Sequence, residues 1–137
     1  MVAAAAAVLA GCEGSSPTEP RFAGLLEITP DQASYAPGSI VTLTLRNPSP
    51  VAVSYVACAH KVEMRLNGFW VAARQLPNFA LCAAARGVVE PGQTVVENVL
   101  LLNDQAPGTY RVLFVDVTNG PGAGGGIDEP SQTFTVR

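Results

Sequence analysis

Histidine is nearly missing from this chain: His60 is the only one in 137 residues. A nucleophile–base pair needs a serine or cysteine within reach of an imidazole and an acid to orient it. Cys58, two residues away, would share a face with His60 on a strand, but no acid clearly orients the ring. A Cys58/His60/Cys82 metal site has soft ligands of a suitable type, yet only three of them and no paired CxxC spacing. The plainer reading is a strand-end histidine beside a disulfide. Paired carboxylates are missing too. The 11 Asp and Glu residues are dispersed, and no two sit at a spacing that suggests acid–base work. The formal charge is -3 with the cations scattered, so no basic stripe offers nucleic acid a footprint. The glycine run Gly120–Gly126 lacks the lysine and following helix of a phosphate cradle, which leaves a hairpin loop. No catalytic residue, cofactor site or metal site is therefore assigned, and no internal repeat or second domain is visible.

A membrane-spanning run is absent as well. Val2 to Ala10 is apolar but covers only ~14 Å as a helix, where a bilayer core needs about 20 residues. Five consecutive alanines, Ala3 to Ala7, give it no amphipathic face. Its length and N-terminal place fit the apolar part of a signal peptide. Leu9-Ala10-Gly11-Cys12 resembles the lipobox of bacterial lipoproteins, with the departure that no Lys or Arg precedes Cys12. That resemblance implies cleavage before Cys12 and lipidation of its thiol. Residues 1–11 then form a lipoprotein signal peptide and 12–21 a lipidated cysteine with a polar, Ser/Pro-rich tether. The expected location is the bacterial cell envelope, held to a membrane by lipid, on the outer membrane facing the periplasm in a Gram-negative cell. Lipidation of Cys12 also accounts for an odd cysteine count and leaves Cys58 and Cys82. In an oxidising compartment these two are the expected disulfide, closing a loop of about 25 residues for roughly 3.5 kcal/mol. Two separate buried thiols are the alternative.

What is abundant is punctuation. Thirteen glycines and 11 prolines cut residues 22–137 into short segments rich in alternating apolar residues. Ile40 to Asn47 predicts a strand with Val41, Leu43 and Leu45 facing inward. Asn67-Gly68 predicts a type I′ hairpin pairing Leu66 with Phe69, Met64 with Val71 and Val62 with Ala73 on an inner face. Arg65 would oppose Trp70 on the outer face, within reach of a cation–π contact. Val88 to Leu102 reads as a strand pair about Pro91-Gly92, and Gln75 to Gly87 as irregular. Asp116 falls in an apolar strand, where a water-exposed strand-end or edge position is the plain expectation and a calcium or hydrogen-bonding site the alternative. Tyr110, just after Pro107-Gly108, stands where a tyrosine corner would place its hydroxyl. The expectation is an all-β chain: an immunoglobulin-like antiparallel β-sandwich of seven to nine strands.

The series Tyr35-x-Pro37-Gly38, Asn47-x-Ser49, the Asn67-Gly68 hairpin with Trp70, Glu90-Pro91-Gly92-Gln93, and Pro107-Gly108-x-Tyr110 resembles the bacterial immunoglobulin-like domains of secreted proteins and lipoproteins. Such domains commonly carry Asp-Gly at the hairpin where this chain has Asn67-Gly68. The resemblance implies a binding or scaffolding role without catalysis, with a protein or envelope polymer as partner and no nucleic acid. Two other readings stand beside it. One is a proteinase-inhibitor-like sandwich presenting Leu76 to Ala85 to a protease. The other is a small envelope metal-binding protein using Cys58, His60 and Cys82.

Overall fold

The computed structural model describes residues 24–74, 86–120 and 125–137. Among them there is no helix, and eleven strands follow one another: β1 (Glu27–Pro30), β2 (Ser34–Tyr35), β3 (Ile40–Arg46), β4 (Val53–Val56), β5 (His60–Leu66), β6 (Phe69–Arg74), β7 (Arg86–Val89), β8 (Thr94–Leu100), β9 (Gly108–Asn119), β10 (Ile127–Pro130) and β11 (Phe134–Val136). They form two layers. One is a three-stranded sheet in the order β1-β3-β8. The other is built on β9, with β10 and β11 along one side of it and β4 and β5 along the other. β6 extends β5 outward and β7 extends β4. β4 with β5, β6 with β7, and β10 with β11 are each one interrupted line. The eleven strands therefore make eight extended runs, inside the expected range.

The alternation read from the sequence is the physical cause of the layering. In β3, Val41, Leu43 and Leu45 are buried while Arg46 is exposed. They meet Val53 and Tyr55 of β4, Val62 of β5, Val89 of β7 and the Tyr110–Val112–Phe114 face of β9 in one core. Side chains of the two inner faces interdigitate, as in any sandwich. The chain changes layer after β1: β1 pairs antiparallel with β3, whereas β2 runs parallel to β11 in the opposite sheet. The Glu90–Gln93 turn also crosses between layers, because β7 pairs with β4 and β8 with β3. The predicted Val88–Leu102 pair is thus two strands in different sheets and no hairpin. A turn motif marks a reversal of the chain but does not say which sheet the next strand joins.

Two side chains close the sandwich at its bends. Asn47, fully buried, donates to Val51 O at 2.7 Å and Val89 O at 2.9 Å, and its carbonyl accepts from Ser49 N at 2.9 Å. Tyr110 donates its hydroxyl to Ala106 O, four residues upstream, at 2.6 Å. This is a tyrosine corner at the start of a long central strand. With two packed sheets, antiparallel in every pair but β2–β11, a layer change in the first run and this corner, the fold is an immunoglobulin-like β-sandwich.

Candidate binding surface

The hairpin of β5 and β6 is the largest departure from a closed sandwich. Asn67 (φ 50°) and Gly68 (φ 83°) form its turn. Left-handed backbone at both central positions is what a type I′ turn requires, and Asn-Gly supplies it at low cost. The register follows: Leu66 opposes Phe69, Arg65 opposes Trp70 and Met64 opposes Val71. The expected Val62–Ala73 pair does not form. Val62 opposes Arg74 instead, and the register shifts between Val62 and Glu63. One extra residue on β6 makes this a β-bulge, which alternation alone cannot reveal.

The tip is also not the inner face expected of it. Val62 is buried and Met64 half-buried, but Leu66, Phe69 and Val71 are exposed, Phe69 at 74%. Among the described residues the opposite sheet has three strands and ends at β8, so its width does not reach beneath the hairpin. Apolar side chains that point toward the interior therefore face water.

On the outer face of the hairpin, Arg111 of β9 donates to Glu63 Oε2 at 2.6 Å and lies 4.3 Å over the Trp70 ring. The expected partner of Trp70 was Arg65, which is exposed. Arg111 wins because Glu63, its direct neighbour across β5 and β9, fixes the guanidinium over the indole.

A second polar cluster sits where strand lines break. Five residues of the β4–β5 line, 55–59, face three of β9, 115–117. Ala59 N closes a turn on Val56 O at 3.3 Å, and Asp116 takes a left-handed φ of 51°. Arg86 bridges the break. It donates to Asp116 Oδ2 at 2.7 Å, to Asp116 O at 2.9 Å and to Ser54 Oγ at 3.1 Å. Gly126 N donates to the other Asp116 oxygen at 2.9 Å. Asp116 is thus a half-buried hydrogen-bonding centre rather than a water-exposed edge residue. Arg86, Arg111 and Asp116 draw their roles from partners distant in sequence, and only the polar Asp116 inside an apolar strand signalled this beforehand.

The break also separates Cys58 from His60. Cys58 lies in the turn after β4 and His60 opens β5, so the two-residue strand spacing does not join them. Cys58 is disulfide-bonded. The His60 ring is tilted at 6.1 Å from Phe114. Among the described residues no cluster of three or more His, Cys, Asp or Glu could hold a metal. The lipobox with Cys12, Cys82 and the Leu76–Ala85 segment all lie outside the described residues.

Carboxylates elsewhere act as ties. Glu129, 2% exposed, accepts from Leu25 N and, at 2.8 Å, from Leu26 N, fastening the first described residues to β10. Burial pushes its carboxyl above the ordinary carboxylate value, and the two amide donors pull it back only in part. Glu97 on β8 accepts from the Tyr55 hydroxyl at 2.5 Å and bridges the two sheets. Burial first, and then this carboxylate, push the Tyr55 phenol upward. Tyr35 is pushed up to about 12 by burial and by its bond to Asp31.

No protein-family model and no curated protein matches the chain. Among solved structures it is similar to an alkylpurine DNA glycosylase of Pseudomonas fluorescens bound to DNA containing an abasic site analogue. The identity is 14% and the TM-score 0.41, over 82% of this chain and 30% of that one. It is also similar to PapD-like domain 7 of human CEP192, at 16% identity and a TM-score of 0.37, over 93% of this chain and 94% of that domain. The chain spans less than a third of the glycosylase chain. Both likenesses are distant.

Proposed function

We propose that this protein is a lipid-anchored component of the bacterial cell envelope whose immunoglobulin-like domain binds or scaffolds a protein or envelope polymer. The observation that carries the binding role is the uncovered apolar tip of the β5–β6 hairpin. Its position supports the anchored reading. Leu25 and Leu26 are tied to Glu129, which lies opposite Phe114 of β9, and Ile127 lies opposite Val117. The hairpin runs the other way, past Tyr110. At ~3.3 Å per residue along β9, the two ends are roughly 30 Å apart. A domain held through residues 12–21 would therefore present its hairpin away from the anchor.

The anchor is tested by fractionation. Cys12→Ser should abolish lipid labelling and move the chain out of the membrane fraction. One acyl chain binds a bilayer only marginally and stable anchoring needs more than one, so loss of the thiol should be decisive. If Cys12→Ser chain stays with membranes through a high-salt wash, the lipoprotein reading is wrong.

A further inference from the structure

We propose that β6 is a docking edge for an extended peptide segment whose side chains alternate acidic and apolar, added to the sheet as one more strand. This deepens the binding role proposed above and rests on it. Three observations lead to it. First, β6 pairs with β5 alone and its other side is an edge among the described residues. In a two-residue hairpin the Leu66–Phe69 and Met64–Val71 pairs exchange the backbone bonds, which turns the N–H and C=O groups of Trp70 and Ala72 outward. Those four groups are what an incoming strand pairs with.

Second, the two faces beside that edge differ in chemistry. Leu66, Phe69 and Val71 lie exposed on one face. The other face carries Lys61, Glu63 and Arg65 at alternate positions of β5, with Trp70 and Arg111 beside them. Third, that face holds three cations against one anion, in a chain whose net charge is -3. A strand added to β6 would place alternate side chains on these two faces. Apolar residues would cover Phe69 and Val71, and acidic ones would meet the cations. The charge complementarity selects an acidic partner over a basic one.

The probe is a fluorescein-labelled heptapeptide of alternating valine and glutamate, with its valine–lysine counterpart as control. The glutamate peptide should bind the full chain at least tenfold more tightly than the lysine peptide, and its affinity should fall as salt rises. Amide exchange at Trp70 and Ala72 should slow at least tenfold on binding. Ala72→Pro deletes one outward N–H, a substitution that edge strands tolerate. Phe69→Ser removes an exposed apolar contact. Each should cut affinity tenfold or more while the melting temperature holds. Equal binding of both peptides, or unchanged exchange at Trp70 and Ala72, overturns the proposal. Dimerisation by sedimentation with β6 protected in the absence of peptide also overturns it, since a second copy would then hold the edge. Lipid labelling of Cys12 is read separately. A lipidated chain that ignores the peptide sinks this inference alone, and an unlabelled chain sinks the envelope reading alone.

Discussion

Glu129 and Tyr110 show how single polar side chains close an otherwise apolar sandwich. Glu129 is buried and ties Leu25 and Leu26 to β10, with its folded carboxyl raised above the ordinary 4.5. A raised carboxyl favours the protonated folded form. Its contribution to stability is fully present below pH 4.5 and is lost as the pH rises through the folded value. Unfolding free energy measured in urea should therefore decline as the pH climbs above 4.5, and Glu129→Gln should flatten that decline. Asp31, lowered below its ordinary 3.8 chiefly by the Tyr35 hydroxyl, acts in the opposite sense. Its contribution is present above 3.8 and is lost as the pH falls through its folded value. Tyr110→Phe keeps the ring but strips Ala106 O of its donor. Ala106 is exposed, so water can take the freed carbonyl and the loss is that of one ordinary hydrogen bond, about 0.5–1.5 kcal/mol, to be read as a lower urea midpoint at unchanged slope.

Among the elements, β7 packs closely against its neighbour at Gly87. Gly87 lies opposite Tyr55 in the β4–β7 ladder. A Cβ there would meet the Tyr55 ring at 2.4 Å and its hydroxyl oxygen at 2.6 Å. The ring cannot withdraw, because it packs edge-on against Phe114 at 5.8 Å and its hydroxyl is bonded to Glu97. Gly87→Ala should therefore cost about 1–3 kcal/mol and weaken the Tyr55–Glu97 bridge between sheets, seen as a lower melting temperature. The hairpin is the contrasting element. Its turn geometry is local, so Asn67-Gly68 alone sets its register near the tip. Its exposure is not local, because coverage depends on the width of the opposing sheet.

For the whole molecule, the break in the β4–β5 line and the gap between β6 and β7 coincide. β6 ends opposite Val62 and β7 begins opposite Val56, so the two pairings lie on either side of Cys58. The bond expected between Cys58 and Cys82 is open to a direct test. Cys82→Ala should then destabilise the domain by about 2–4 kcal/mol. Limited proteolysis should cut within 75–87 faster after reduction. Unchanged cleavage on reduction would remove the bond from the account.

Much of this architecture was legible from pattern. Period-two alternation in β3, the Asn67-Gly68 turn and the position of Tyr110 are local signals, and each appears where its residues place it. Local signals fail where the outcome depends on a neighbour far along the chain. Arg111 takes Trp70 from Arg65 because Glu63 faces it across β5 and β9. The bulge at Val62–Glu63 and the left-handed Asp116 arise from fitting an interrupted line of strands against the continuous β9. The sequence by itself determined that the chain would alternate, turn and bury one face of its strands, because those follow from side-chain polarity and backbone sterics. Only the tertiary structure decided which sheet each strand joined, and hence that Leu66, Phe69 and Val71 face water. Coverage depends on how many strands lie opposite, and no single strand encodes that number.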